Sequence, residues 1–391
     1  MPEASTPVLR FALIGCGRIA VKHLKAIFKS RDYQLVGIAD VSPDAPGRLL
    51  ADCGLSPASV EKLRTEVGFF TNYHEMLEKL RPDVVAVTVP SGLHYRIGKD
   101  AMLAGAHILL EKPMTMCVGE ARELYEISHA TGRKIAMGHI YRYFPVVKRL
   151  RSDIASGNFG TISHGSVVVR WGHDQAYYDQ APWRGTWKSD GGALMNQSVH
   201  ALDLLCWLMC GEAVKVSAML ERRMHHMEAE DVALGTVRLN NGALCQIEGT
   251  TNSPKKDHEA SFYLCGTQGT IRIGLRKGIP SFDIRDANNK KLNFYYLRED
   301  LREKGLASIL AATNPHAGIY KDLAEAIHET REPLADAQSG FTSVQMVLAM
   351  YLSAKEQKHV SLPLADSVSS ETMIGFFPSQ DPSSSSDTSK K

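Results

Sequence analysis

The sequence offers little cysteine chemistry. Its seven cysteines (Cys16, Cys53, Cys117, Cys206, Cys210, Cys245 and Cys265) are scattered, odd in number and form no CxxC pair. Cys206 and Cys210 stand one helical turn apart, but no further Cys or His cluster accompanies them. A disulfide framework and a cysteine-rich zinc site are thereby excluded, and no metal is expected. Reduced core cysteines suit a reducing, cytoplasmic setting. Net charge is also nearly absent: 45 Lys and Arg against 43 Asp and Glu leave +2. That gives no general reason to expect nucleic acid or an anionic membrane as partner. No apolar run approaches the length of a membrane span, and MPEASTPVLR lacks the basic-then-apolar design of a secretory signal.

What is present is ordinary globular material, 44% hydrophobic and 23% charged, in 391 residues. That length exceeds one usual core, so two domains are expected. The first third alternates short apolar runs with helical patterns: RFALIGCG (10–17), QLVGIAD (34–40), DVVAVTVP (83–90), HILLEKP (107–113) and KIAMGHI (134–140). Such alternation predicts an α/β fold with a doubly wound parallel sheet over residues 1–140. Beyond Tyr141, strand candidates follow one another, with an Asn240-Asn241-Gly242 hairpin turn. They predict an α+β domain over 141–365 with a large, open, mostly antiparallel sheet. The Ser-rich end, 366–391, reads as a flexible tail.

Gly15-Cys16-Gly17-Arg18-Ile19-Ala20 forms GxGxxA between the first strand and a helical pattern. The first glycine permits a tight turn, the second lets backbone approach a pyrophosphate, and the helix N-terminus favours its charge. Asp40 follows at the end of the second strand, where an acid can bind both ribose hydroxyls. No Arg follows it directly, and Arg48 stands too far along the chain to replace it. NAD is therefore expected in preference to NADP. Glu111-Lys112-Pro113 ends a later strand, on the sheet edge where ligands bind.

With TVPSGLH (88–94), EKP, and Gly191-Gly192 leading to His200 and Asp203, the chain resembles the glucose–fructose oxidoreductase and inositol dehydrogenase family. The resemblance runs from about Leu9 to Leu364. It implies oxidation of one secondary alcohol of a cyclic sugar or polyol, or reduction of the ketone. It places Gly15, Gly17, Arg18, Ile19, Asp40, Thr88, Pro90, Ser91, His94, Glu111, Lys112 and Arg142 at the cofactor. Lys112 would touch the reacting hydroxyl, with His200 as its acid–base partner. A histidine suits proton transfer near neutrality, and a lysine ammonium can stabilise an alkoxide. Which of the two accepts the proton stays open on sequence.

Asn196 departs from the family, which usually carries Asp four residues before that histidine. Asn hydrogen-bonds but supplies no charge, so His200 needs another acid if it is to become a cation. Asp203 could serve, although a structural role for it is the plainer reading. The stretch MNQSVHALDLL, with DQAPWRGTWKSDGGAL before it, looks most like the branch that acts on nucleotide sugars, especially UDP-N-acetyl-hexosaminuronic acids at C3. Arg170, Tyr178, Trp183, Arg184 and Lys188 form an aromatic and cationic segment suited to stacking on a sugar and holding a carboxylate or phosphate. Asn196, His316 and Tyr320 complete the expected substrate set. An open sheet with one uncovered face suggests a homodimer or homotetramer through the second domain. Three rivals share these features: an NAD-dependent glycosidase acting through transient C3 oxidation, a dehydrogenase of free sugars, glycosides or inositols, and a non-catalytic sensor of sugar or NAD.

Overall fold

The computed structural model describes residues 7–304 and 314–378. The first sheet has six parallel strands in the order β3-β2-β1-β4-β5-β6. They are β1 Leu9–Ile14, β2 Tyr33–Ala39, β3 Gly68–Phe70, β4 Val84–Val87, β5 His107–Leu110 and β6 Ile135–Met137. Apolar runs form these strands because helices cover both faces of the sheet: every residue of β4 is fully buried. The carboxyl ends of β1 and β4 lie side by side, and there the strand order reverses. A ligand crevice opens at such a switch point.

The second sheet has eight strands, ordered β13-β12-β11-β7-β10-β9-β8-β14. They are β7 Ile162–Trp171, β8 Ala213–Glu221, β9 Val232–Leu239, β10 Leu244–Thr250, β11 His258–Gly266, β12 Gly269–Arg276, β13 Ile279–Asp286 and β14 Val360–Ser361. Only the β7–β10 pair is parallel. The Asn-Asn-Gly hairpin joins β9 to β10, with Gly242 at φ 88°. Helices Val199–Leu208 and Ala337–Glu356 cover one face. On the other face Met219, Leu234 and Leu244 stay exposed.

The expected flexible tail does not begin at residue 366. Asp366–Pro378 packs against both domains: Val118 N–H donates to Val368 O, Ser370 N–H to Met116 O, and Ser370 Oγ to Trp187 O. Met373 is fully buried and Phe377 stacks on Trp187. Apolar residues in a Ser-rich stretch found a groove that sequence does not display. Residues 379–391 lie outside the described residues. A chain ending at Ala365 is expected to lose about 2–4 kcal/mol relative to one ending at Pro378, the scale for removing a buried Met and its neighbours. Urea unfolding measures this, and equal midpoints would refute the docking role.

Candidate active site

The site begins where β1 ends. Gly15 turns the chain at φ 96°, and a Cβ there would stand 2.8 Å from Thr88 O. Thr88, just past β4, donates its hydroxyl to Gly15 O (2.6 Å) and Ile14 O (3.1 Å). At Gly17 a Cβ would meet only Thr88 O, at 3.8 Å, so one side of the loop is open to an approaching phosphate. Beside it, Asp40 Oδ2 accepts Cys16 N–H (2.7 Å) and Oδ1 accepts Ser42 N–H (2.9 Å). Each oxygen keeps a lone pair for a ribose hydroxyl. This loop, acid and helix N-terminus fit NAD.

Arg48 is a correction to the sequence reading. It sits on the helix Ala45–Asp52, reaches Ser42 Oγ at 3.3 Å and lines the same cleft as Asp40. A short helix folds back toward the strand end, which distance along the chain conceals. Replacing Asp40 by Ser is therefore expected to lower the NAD-over-NADP preference at least about tenfold in kcat/KM, by removing a like charge that leaves Arg48 beside the ribose. An unchanged ratio of the two kcat/KM values would sink this account.

One cleft of about 770 Å³ runs from Gly15, Arg18, Ile19 and Asp40, past Pro90, Ser91 and His94, to Glu111, Lys112, Asn196, His200 and His316. Lys112 Nζ donates to the Asn196 carbonyl at 2.6 Å. Burial pushes the Lys112 pKa down, with the Glu111 and Asp190 carboxylates opposing. Burial, then the Lys112 charge and the His139 ring, hold His200 well below the ordinary imidazole value. His200 is thus a neutral ring at neutral pH, and its Nδ1 has no hydrogen-bond partner.

Glu111 lines the cleft but turns inward. Its Oε1 meets His23 Nε2 at 3.0 Å, and its Oε2 accepts Lys112 N–H at 3.2 Å. Burial opposes its charge, yet the His23 hydrogen bond and neighbouring imidazoles hold its pKa well below the carboxylate range. Donor atoms of His23, Glu111 and His316 lie within 4.8 Å of one another. Both His23 nitrogens are already engaged, however, Nδ1 with Tyr320 Oη at 2.8 Å, so the trio pins helix Ala20–Ile27 to helix His316–His328. His94 is likewise braced, with Pro113 O at 2.7 Å and Val89 O at 3.0 Å.

From the second domain, Tyr177, Trp183 and Arg184 form the outer wall. The Arg184 guanidinium lies over the Tyr177 and Trp183 rings (4.2 and 4.7 Å), with its Nε buried and unpartnered. Arg18 donates to Gln180 Oε1 at 2.8 Å, joining the glycine loop to this wall.

Five expected residues do not line the cleft. Arg142 is buried in a bidentate pair with Asp203 (2.8 and 2.5 Å). Arg170 lies on the sheet face, paired with Glu248 and Glu259. Tyr178 is buried on Thr251, and Tyr320 behind the site on His23. Lys188 is exposed outside it. Aromatic and cationic residues cluster in that segment, but its folding decides which of them face inward. Asp203 proves structural: it lies about 60° around the helix from His200 and faces Arg142 instead.

Asp190, which sequence reasoning overlooked, is the acid beside Asn196. It is buried in the cleft wall, accepts Gly185 N–H at 2.8 Å, and receives Asn196 Nδ2–H on Oδ1. Burial raises its pKa; the Gly185 and Asn196 hydrogen bonds and the Lys112 charge oppose. The legible signal was an acid directly before the glycine pair. Tyr177, from the same aromatic segment, also lines the cleft, as does Lys22, which no motif announced.

Two family models match this chain: "Oxidoreductase family, NAD-binding Rossmann fold" over residues 9–139, and "GFO/IDH/MocA C-terminal domain" over 147–272. Among curated proteins, D-glucoside 3-dehydrogenase of Escherichia coli (strain K12) is 25% identical, over 90% of this chain and 97% of its own. Among solved structures, the WlbA dehydrogenase of Bordetella pertussis, in complex with NADH and UDP-GlcNAcA, superposes with a TM-score of 0.80. It is 28% identical, covering 93% of this chain and 100% of that one. A second WlbA dehydrogenase, from Chromobacterium violaceum with the same two ligands, is 30% identical over 93% of this chain and 99% of its own, at a TM-score of 0.78.

Proposed function

The chain belongs to the GFO/IDH/MocA family of NAD-dependent oxidoreductases, and from that premise we propose that it oxidises the C3 hydroxyl of a pyranose, carried by a nucleotide sugar or a sugar acid. The observation that carries this reading is the continuity of one cleft from Asp40 and the glycine loop to Lys112 and His200. Names of relatives support it: one is a D-glucoside 3-dehydrogenase, and two structural neighbours hold UDP-GlcNAcA. Arg184 supplies a cation for a carboxylate or phosphate.

NAD, when bound, supplies the hydride acceptor. The protein's own groups handle the proton. His200, neutral because it is buried, accepts the hydroxyl proton. The Lys112 ammonium, held by the Asn196 carbonyl and the Asp190 charge, stabilises the alkoxide as it forms. Glu111 offsets the cation that appears on the imidazole. The aromatic wall of Tyr177 and Trp183 offers faces on which sugar C–H surfaces stack.

The test is an absorbance screen at the NADH band. UDP-sugars, free hexoses, uronic acids, glucosides and inositols are each supplied with NAD and with NADP. NADH formation with a UDP-hexosaminuronate at a higher kcat/KM than with inositols is expected. Turnover confined to free polyols would overturn the substrate assignment. For assembly, we place the subunit contact on the open sheet face carrying Met219, Leu234 and Leu244, giving a homodimer or homotetramer. Light scattering reporting a monomer would refute it.

A further inference from the structure

The turn that carries Asn196 is a π-helix, Ala193–Ser198, running into the regular helix Val199–Leu208. Helix openings leave backbone N–H groups without intrahelical partners, and no side chain within this turn caps them. The partner comes from the strand side. Glu230, fully buried at the entry to β9, accepts Leu194 N–H on Oε1 at 2.9 Å, while its backbone carbonyl accepts Ala193 N–H at 2.9 Å. Tyr351, on helix Ala337–Glu356, donates its hydroxyl to the same Oε1 at 3.1 Å and accepts Gly192 N–H at 3.3 Å.

This contact also explains the glycine pair. A Cβ on Gly192 would stand 2.1 Å from both Glu230 O and Glu230 Oε2, so no side chain fits. Gly191, at φ 69°, would set a Cβ 2.5 Å from Met195 Cβ. The glycines let the turn close on Glu230.

We propose that Glu230 is a positioning residue for the reaction, capping the 193–198 turn from below and so fixing where the Asn196 carbonyl and the His200 ring stand relative to Lys112. The inference rests on the dehydrogenase reading of the same site. Glu230 touches neither cofactor loop nor cleft lining. It acts through the turn. Burial pushes its carboxyl up to about 8, with Asp231 adding to the rise and the Leu194 amide and Tyr351 hydroxyl opposing. It is therefore a neutral cap at pH 7, whose acceptor oxygen a glutamine can reproduce. π-turns recur at functional sites, and one held open by a remote side chain is a place where sequence distance hides a dependence.

The test compares Glu230→Ala with Glu230→Gln in the full chain. Three readouts are taken at pH 7: kcat with the best sugar from the screen, NADH affinity by fluorescence, and the His200 ring resonances by NMR, assigned by difference with His200→Gln. Glu230→Ala is expected to lower kcat at least about tenfold, as misplacement of catalytic groups does. It should also move the His200 resonances and leave NADH affinity within about twofold. Glu230→Gln should recover most of the loss. A Glu230→Ala protein with unmoved His200 signals and near-native kcat overturns the proposal. So does a Glu230→Gln protein as impaired as Glu230→Ala, or a loss of kcat that merely tracks NADH binding. If Glu230→Ala does not fold, Tyr351→Phe removes one donor from the same oxygen, and the His200 resonances must move there too. If no sugar is turned over by the native enzyme, the dehydrogenase reading fails while the NMR arm still decides the cap.

Discussion

Replacing Lys112 by Met is expected to lower kcat at least about a hundredfold while NADH affinity stays within about threefold. A hundredfold is about 2.7 kcal/mol of barrier, the scale of losing one preorganised cation at a developing oxyanion. Met keeps most of the buried stem, so packing changes little. The lost bond to the Asn196 carbonyl costs about 1 kcal/mol of stability and is followed separately by thermal unfolding. The pH profile carries the sign. His200 must be neutral, and burial sets its pKa well below the usual imidazole value, so kcat/KM for oxidation should stay flat through neutrality and fall only in acid. Lys112 must be charged, and burial sets its pKa below that of free lysine, so an alkaline fall should appear earlier than an exposed lysine would give. That alkaline fall should vanish in Lys112→Met. A loss of less than tenfold, or an alkaline limb that survives unchanged, would refute the assignment.

Removing the charge of Asp190 should move that alkaline limb. The carboxylate raises the Lys112 pKa, so Asp190→Asn lowers it and shifts the limb to lower pH by about one unit. Asp190→Ala goes further. It leaves the Gly185 amide and the Asn196 side chain without their shared acceptor, a loss of about 1–3 kcal/mol, and it frees the residue whose carbonyl holds Lys112. A fall in kcat of about tenfold or more is expected for the alanine variant. Measured limbs that move upward, or not at all, would show that Lys112 gains nothing from this acid. Asp203 provides the contrast. Asp203→Asn would weaken the buried pair with Arg142 and lower stability without displacing either limb.

Strands, the glycine loop, Asp40 and EKP were legible because each rests on local chemistry. A buried parallel strand must be apolar, a turn against Thr88 must be glycine, and an acid at a strand end meets a ribose. The family resemblance gathered these at one site, and His200 and Lys112 both line the cleft. Legibility ended where a residue's partner lies far along the chain. Arg142 looks like a cofactor residue until Asp203 claims its Nε and Nη2 and the Leu334 carbonyl its Nη1. Tyr320 looks like a substrate residue until His23 takes its hydroxyl.

By itself the sequence determined the fold class and the nicotinamide cofactor, because those follow from strand periodicity and from motifs a few residues long, and the family resemblance added Lys112 and His200 as the candidate proton-handling pair. Only the tertiary structure decided what supports them. Asp190 binds the Asn196 side chain and places a carboxylate near Lys112, Glu230 caps the turn from a strand edge, Arg48 folds back to the ribose end, and residues 366–378 dock where a tail was expected. The physical reason is common to all four. Burial and charge pairing join groups across the chain, and nothing in local spacing records which groups will meet.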